Sequence, residues 1–481
     1  MTDPIKVREK KPSFGAALFV ILFLCVAMYV QVFVLHQDWV THITLILASV
    51  VAAIVALMSG FTWKDIEEGI LYGCQIAMLP MLILMLVGVL ISTWIAGGTI
   101  PTLIFYGLKI LNPSVFLFTV CLVCSIASVS TGSSWTTAAT FGVAFMGIGM
   151  GLGVPPAMTA GAVVSGSIFG DKMSPLSDST NLAAGVAEAD LFDHIRSMVY
   201  TTGPAIVISL IIYGIIGMGY GSGSIDTSVV DVILDGLQAH YFISPVTLLL
   251  PVLVVVLAIK KVSGLAVMVI SSLVGAAFGM IFQGYGLGEL LSFMNDGFVS
   301  ATGVAEVDSL LSRGGLQSMM WTISLGFVAL SFGGLLEKTR VLEVLLEKMS
   351  SIVSNVKGLI VTHVLSSIMV NLFSASQYMA IIIPGRMLVP AYKKLNLLPQ
   401  VCSRTCEDSA TVTSPLVPWG LCGVFFTGAL GVATVDYLPY TYLAFLAPII
   451  AIIYAFTGKF MFKEGEIASV KTYHDNKNIS A

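Results

Sequence analysis

The sequence predicts an all-α, polytopic membrane protein, and two features of the whole chain lead to that prediction. Of the 481 residues, 57% are hydrophobic and only 10% are charged, whereas soluble domains carry about 25% charged residues. A transmembrane helix needs about 20 mostly apolar residues, and such windows fill most of the chain. We therefore expect roughly 12 transmembrane segments. The net charge of -4 is too small to indicate a nucleic-acid partner.

The chain begins with a basic tail and two apolar lead spans, which we assign to residues 1–65. The basic residues of KVREKK precede the first span, at 14–35, and the second follows at 40–60. The first span is long and lacks a small-residue cleavage pattern, so we interpret it as retained rather than as a signal peptide. Positive residues favour the cytoplasmic side, and the polar tail at 461–481 also contains lysines. Both ends are therefore expected in the cytoplasm.

The longest apolar part of the chain ends in a polar stretch, GSIFGDKMSPLSDSTNLA, at residues 166–183. Residues 110–170 contain no Asp, Glu, Lys, Arg or His, and the stretch then brings in Asp171, Lys172 and Asp178. Ionisable groups at membrane depth are costly, so they usually face a cavity or pathway and have partners. This stretch is therefore predicted to form part of a functional site.

A proline in the same stretch predicts a broken helix. Pro175 lacks a backbone donor and frees carbonyl groups that must be satisfied elsewhere. Freed carbonyls, carboxylates and hydroxyls suit a cation such as sodium. The candidate ligands are Asp171, Ser174, Ser177, Asp178 and Asn181. Asp178 is preferred, because acids and hydroxyls converge around it without an adjacent cation; Asp171 could instead pair with Lys172 or cap a half-helix.

A second stretch, CEDSATVTSPLVPWG at residues 406–420, repeats the order of an acid followed by Ser-Pro-Leu. Ser414-Pro415-Leu416 matches Ser174-Pro175-Leu176, and Glu407 and Asp408 stand upstream as Asp171 does. Thr411 and Ser414 are further candidate ligands. Interrupted segments in corresponding positions of two halves indicate a transporter's binding site. We infer two transport repeats, 66–220 and 310–460, joined by linking spans and a loop at 221–309.

Each half also contains a Ser-rich break before its acids, SVSTGSSWTTAATFG at 128–142 and MVNLFSASQYMA at 369–380. Such segments can pack small residues between helices. They can also form the tip of a re-entrant hairpin, since non-helical backbone at membrane depth is tolerated where protein buries it or water reaches it. The side chains that could supply neutral ligands are Ser133, Ser134, Thr137, Ser376 and Gln377.

The adjacent acids Glu407 and Asp408 suit coupling to protons. Two close carboxylates resist ionising together, so one of them can hold a proton for which sodium competes. Arg404, one turn earlier, could instead neutralise either acid as a structural pair. We predict sodium at Asp178, Asn181 and Asp408, and we expect neutralisation of Asp178 to abolish transport.

The residues favour neither a metal centre nor an enzyme. Cys121/Cys124 and Cys402/Cys406 have spacings that would suit a metal, but no nearby His or Cys completes a tetrahedral set. The histidines form no HExxH arrangement, and no GxxxxGK[ST] phosphate-binding loop is present in the sequence. We therefore expect a transporter without a cofactor.

Three motifs together, GDKMSPLSDSTNLA, TGSSWTT and CEDSATVTSPLVPWG, resemble the NhaC-type sodium/proton antiporter family of the ion-transporter superfamily. The resemblance extends over about residues 69–455. It implies two inverted repeats, each with a re-entrant hairpin and a broken helix, and often a homodimer. It places the hairpin tips at 128–137 and 374–378, and the broken helices at 171–181 and 407–418.

The resemblance implies a secondary antiporter that exchanges sodium for protons across the cell (cytoplasmic) membrane by alternating access. The implied partners are the sodium ion, the proton and the lipid bilayer. Some members of the family exchange malate and protons for sodium and lactate, or carry amino acids, so a small organic acid is the alternative substrate. Only Arg386 and Arg404 stand near positions that could clamp a carboxylate, and this favours the cation antiporter.

Overall fold

The computed structural model describes residues 10–35, 41–221, 227–351 and 353–463. The regular elements in these ranges are helices. The first half contains α1 (Phe14–Tyr29), α2 (Thr41–Met58), α3 (Trp63–Ala96), α4 (Thr99–Ile110), α5 (Pro113–Thr131), α6 (Ser134–Thr137), α7 (Val143–Gly151), α8 (Pro156–Met173), α9 (Asp178–Val186) and α10 (Leu191–Gly221). Linking helices follow: α11 (Thr227–His240), α12 (Leu249–Ile259), α13 (Gly264–Phe282), α14 (Leu287–Asp296) and α15 (Ala305–Leu311). The second half contains α16 (Met320–Lys338), α17 (Val341–Ser350), α18 (Val356–Ser374), α19 (Gln377–Lys394), α20 (Pro399–Cys406), α21 (Leu421–Leu430), α22 (Thr434–Tyr437) and α23 (Tyr442–Thr457).

The length and composition of the helices confirm an all-α, polytopic membrane protein. Among the described residues, seven helices are long and apolar enough to cross a membrane, and up to ten spans result if each bent helix pair counts as one. One such pair, Pro399–Leu416 with Leu421–Leu430, bends by 49° at its break. The count of roughly 12 spans stays a prediction.

The second half repeats the elements of the first at a constant spacing. α5, α8 and α9 begin at residues 113, 156 and 178, and α18, α20 and α21 begin at 356, 399 and 421. The spacing is 243 residues in each case (356 − 113, for example). We call residues 156–186 the first broken helix and residues 399–430 the second. The backbone therefore carries a repeat that the side chains show only weakly.

The caps of the hairpin helices recur at the same spacing. Asn112 and Asn355 begin α5 and α18, and each accepts a hydrogen bond from a backbone N–H of the first turn. Both helices end in a left-handed residue, Gly132 with φ +69° and Ala375 with φ +56°. Left-handed residues reverse the chain direction after a helix. The same local chemistry thus builds both hairpin tips.

The second break lies three residues beyond the position that the Ser-Pro-Leu match predicted. Ser174 and Val417, which are 243 residues apart (417 − 174), are the extended residues that end the first half-helices. Ser414-Pro415-Leu416 instead forms a 3-10 turn before the break. The helical run Pro399–Leu416 continues through this motif, so the motif does not itself break the chain. The counterpart of Pro175 is Pro418.

Glycines bring the backbones of the helices close together. A Cβ atom on Gly73 of α3 would lie 2.0 Å from the Leu330 carbonyl oxygen of α16. On Gly166 of α8, it would lie 2.3 Å from the Cys121 carbonyl oxygen of α5. Small residues allow membrane helices to pack this closely. The packing of α5 on α8 fixes the first hairpin against the first broken helix.

Candidate functional site

The residues of the two hairpin tips satisfy much of their own backbone. The Ser133 hydroxyl accepts a hydrogen bond from the Thr136 N–H at 3.2 Å, and the Thr137 hydroxyl donates to the Ser133 carbonyl at 3.0 Å. In the second tip, Ser376 caps α19 by accepting from the Met379 N–H. In this conformation, Ser133, Thr137 and Ser376 stabilise the tips.

Asp171 is the carboxylate at which the first hairpin tip meets the first broken helix. The Ser134 hydroxyl of the tip donates to Asp171 Oδ2 at 2.6 Å. The Ser177 hydroxyl, at the break itself, donates to Asp171 Oδ1. Both serines are buried, while Asp171 remains partly exposed. Three oxygen-bearing side chains therefore converge where α8 ends, beside the Lys172 carbonyl, which accepts a hydrogen bond from the Thr180 hydroxyl at 2.9 Å.

Lys172 and Asp408 form an ion pair that joins the two broken helices. Both side chains are 0% exposed, and the Thr201 hydroxyl donates to the same carboxylate oxygen, Asp408 Oδ1, at 2.9 Å. Arg404 Nε lies 4.0 Å from the other oxygen. The alternative pairing of Lys172 with Asp171 is wrong, because the lysine reaches across to the other half of the chain. Asp408 is thus largely compensated by protein cations.

Glu407 is a buried acid that forms no ion pair among the described residues, and its polar neighbours are the Thr411 and Ser179 hydroxyls and Lys172. Its side chain is 0% exposed, and neither carboxyl oxygen has a hydrogen-bond partner among the described residues. It opens a π-helical turn, Glu407–Thr411, and such turns are frequent at functional sites. A buried carboxyl group in these surroundings is costly unless it holds a proton or gains a cation.

The structure places Asp178 and Asn181 outside the buried cluster. Both are exposed, because Asp178 is the first residue of α9 and Asn181 lies on its first turn. The Asn181 side-chain amide donates to the carbonyls of Pro175, at 3.0 Å, and Ser177, at 2.7 Å. No hydrogen bond or ion pair among the described residues joins Asp178 or Asn181 to Asp408. The sodium site at Asp178, Asn181 and Asp408 stays a prediction; an acid in the first turn also stabilises a helix by itself.

The remaining predicted ligands tie the breaks to their surroundings. The Ser174 hydroxyl donates to the Val129 carbonyl at 2.8 Å. The Gln377 amide lies 3.3 Å from the Thr411 hydroxyl, to which it donates, and so connects the second tip to the second broken helix. Ser414 is buried in the 3-10 turn.

Two polar residues that the sequence analysis missed support the site. Thr201 on α10 holds Asp408, as described above. The Asn371 amide on α18 donates to the Ala410 carbonyl at 2.7 Å and to the Thr413 hydroxyl at 3.0 Å. It thereby satisfies a carbonyl of the π-helical turn. A lone Asn in an apolar span was the available signal, since such residues hydrogen-bond across membrane helices.

The fold brings a histidine that is distant in sequence next to Cys402 and Cys406, which gives three potential ligands rather than a complete tetrahedral set. The ligand atoms of His363, Cys402 and Cys406 all lie within 4.8 Å of one another. His363 comes from α18, far from the cysteines in sequence, so spacing along the chain could not reveal it.

Nearly the whole chain is similar in sequence to known antiporters. The sequence pattern of the Na+/H+ antiporter family matches residues 4–180 and 166–459. The chain is 40% identical over 462 residues to the Na+/H+ antiporter NhaC of Alkalihalophilus pseudofirmus, covering 96% of this chain and 99% of that protein. It is 38% identical over 440 residues to the malate-2H+/Na+-lactate antiporter of Bacillus subtilis (92% and 93% covered). It is 37% identical over 453 residues to the arginine/ornithine antiporter ArcD of Halobacterium salinarum (94% and 93% covered).

Proposed function

This chain belongs to the Na+/H+ antiporter family, and we propose that it exchanges sodium for protons by alternating access at its two broken helices. It is a multi-pass membrane protein and a secondary transporter, not an enzyme. The observation that carries the proposal is the cluster of Asp171, Lys172, Glu407 and Asp408, which spans both breaks and is fully buried except for the partly exposed Asp171. Ionisable residues in such a position mark ion pathways and proton relays.

Sodium binds at Asp171 in this proposal. The Ser134 and Ser177 hydroxyls now donate to the carboxylate, and rotation of each O–H would present its oxygen to a cation instead. The break after α8 adds carbonyl oxygens, which unwound membrane helices use to coordinate sodium. The set is therefore made of hard oxygen ligands with one negative charge.

The proton is carried by Glu407. Lys172 and Arg404 compensate Asp171 and Asp408, so a protonated Glu407 leaves the cluster without net charge. A sodium ion at Asp171 adds a positive charge, which the release of the Glu407 proton would compensate. Because an uncompensated buried charge is costly, sodium and the proton exclude one another. That exclusion is what exchange requires.

The test uses the purified protein in liposomes that contain a pH-sensitive dye, with an imposed proton gradient. Sodium added alone is expected to drive saturable proton movement, and potassium at the same concentration is the matched control. Silence with sodium alone would overturn the proposal. Asp171→Asn is expected to remove the sodium response.

An organic-acid or amino-acid exchanger is the second candidate, because relatives of nearly equal identity are named for such substrates. Lactate, malate and arginine are added in parallel to the same liposomes. Proton movement that needs one of them in addition to sodium would favour this candidate and make the hairpin-tip hydroxyls its ligands.

We also propose that the protein resides in the cell membrane with both termini in the cytoplasm, that it forms a homodimer, and that it needs no cofactor. The tails at 1–9 and 464–481 lie outside the described residues. The constant spacing of 243 residues (356 − 113) between counterpart helices supports transport repeats at 66–220 and 310–460, linked by 221–309. Their inverted orientation is part of the proposal.

A further inference from the structure

A cluster of soft ligands lies behind the ion site, on the helices that carry it. His363 on α18 and Cys402 and Cys406 on α20 are each 0% exposed. Their ligand atoms lie within 4.8 Å of one another, and Cys406 Sγ is 3.3 Å from His363 Nε2. We propose that these three residues form a binding site for a zinc ion, separate from the transported sodium and proton.

The geometry is close to that of a zinc centre. A Zn–S bond is about 2.3 Å and a Zn–N bond about 2.0–2.1 Å, so two thiolates in a tetrahedral centre lie about 3.8 Å apart. The ligand atoms of the cluster lie within 4.8 Å of one another, so binding requires a contraction of at most about 1 Å. Three protein ligands leave a fourth position open, as in other three-ligand zinc sites.

The histidine is held for coordination by a third helix. His363 Nδ1 lies 2.8 Å from the Tyr392 hydroxyl of α19. A hydrogen bond at one ring nitrogen fixes the orientation of a ligating imidazole and leaves the other nitrogen for the metal. Nε2, which now contacts Cys406 Sγ at 3.3 Å, is the nitrogen that would bind the metal. The site thus connects α18, α19 and α20.

The charges also favour a divalent cation. When the two thiols release their protons and bind Zn²⁺, the two thiolate charges cancel the charge of the ion. A neutral complex suits a fully buried position, where a net charge is costly. Because two protons leave on binding, zinc affinity should rise with pH.

A second buried cysteine pair provides the matched control. Cys121 and Cys124 lie on α5 and are 0% exposed, like the proposed ligands. Among the described residues, the only group of three or more potential ligands is His363, Cys402 and Cys406. If buried thiols alone were sufficient, both pairs would bind zinc equally.

The experiment measures zinc binding to the detergent-purified full chain by competition with a chromogenic chelator. Cys25 is exposed and Cys74 is partly buried, so both are changed to Ala in the starting protein. We expect one zinc ion per chain and a rise in Tm with zinc, because a ligand of the native state stabilises it. We also expect tighter binding at higher pH.

Cys402→Ser, Cys406→Ser and His363→Asn should each abolish binding at zinc concentrations that saturate the starting protein. Tyr392→Phe should weaken binding by roughly 10–100-fold, as loss of an outer-shell partner does, and Cys121→Ser/Cys124→Ser should leave it unchanged. Each variant is compared by its zinc-free Tm and elution profile, so that misfolding is recognised. Absence of zinc binding in the starting protein, or its persistence in Cys402→Ser/Cys406→Ser, would overturn the proposal.

Discussion

The two broken helices share a backbone but divide the chemistry between them. In the first, the Asp171 carboxylate accepts hydrogen bonds from two hydroxyls of its own half of the chain. In the second, Asp408 is paired with Lys172 from the other half, and Glu407 forms no ion pair among the described residues. One break is therefore equipped with oxygen ligands for a cation, and the other with a buried group that can hold a proton.

This difference explains how a broken-helix backbone that occurs in both repeats can couple two different ions. The constant spacing of 243 residues (421 − 178) places both breaks at equivalent depths in their repeats. The side chains then diverge, since position 408 corresponds to Ser165, which is 243 residues earlier (408 − 165). The Lys172–Asp408 pair is what makes the two breaks electrostatically one site.

The largest effect is expected from removing the Lys172–Asp408 ion pair, which joins the two broken helices. Lys172→Met leaves Asp408 with a weaker compensation at 0% exposure, and removing one partner of a buried ion pair costs about 3–5 kcal/mol. We expect a sharp fall in Tm and no transport. Thermal unfolding in detergent measures the change in Tm, and proton movement in dye-loaded liposomes measures transport.

Lys172→Met/Asp408→Leu sharpens the same test. Replacing both partners by apolar residues is often neutral or stabilising, so the double variant should regain Tm but not transport. Recovery of transport would show that the pair is only structural.

The next largest effect is expected at the first break, where substitutions distinguish the roles of Asp171 and Asp178. Asp171→Asn should abolish the sodium response while leaving Tm nearly unchanged, because the amide fits the same space but carries no charge. Asp178→Asn is the matched control, since Asp178 is exposed on α9. We expect it to retain most of the transport rate, contrary to the prediction from sequence. The reverse order of effects would return the sodium site to Asp178.

Glu407→Gln tests the second break. A neutral amide mimics the protonated acid, so folding should be preserved or slightly improved at this buried position. Because the amide cannot release a proton to compensate the charge of sodium, sodium binding should weaken at every pH and net exchange should stop. Isotopic sodium–sodium exchange between liposomes and buffer, measured over a range of pH, should be slow and show little pH dependence. Exchange that keeps the pH dependence of the unchanged protein would exclude Glu407 as the proton carrier.

The smallest effects are expected at the hairpin tips, where the left-handed residue is Gly132 in one repeat and Ala375 in the other. A Cβ on Gly132 would lie 2.7 Å from the Leu176 side chain and would sit at φ +69°, so Gly132→Ala should lower Tm. Ala375 occupies the equivalent position with φ +56°, and a left-handed non-glycine residue costs about 1–2 kcal/mol. Ala375→Gly should therefore raise Tm by a few degrees or leave it unchanged. A fall on this change would show that the tips are not built alike.

Several features of the fold and the site could be predicted from the sequence because they depend on neighbours along the chain. Pro175 in an apolar background indicated the first break, and the Ser-rich segments indicated the tips. The Ser-Pro-Leu match at Ser414 predicted the second break three residues too early. Three identical side chains do not determine where the backbone leaves the helix. At Asp178, nearby hydroxyls in sequence do not reveal which way a helix turn faces, and the structure places this residue on an exposed part of α9.

By itself, the sequence determined that this is a helical membrane protein with two interrupted halves, since apolar length and prolines act locally on the chain. Only the tertiary structure decided which charges meet. Lys172 and Asp408 are far apart in sequence, as are His363 and Cys406, and each pair forms because separate helices pack side by side. Those partners are determined by the shapes of the packed helices and by how closely their backbones approach. Neither property can be inferred from the spacing of residues along the chain.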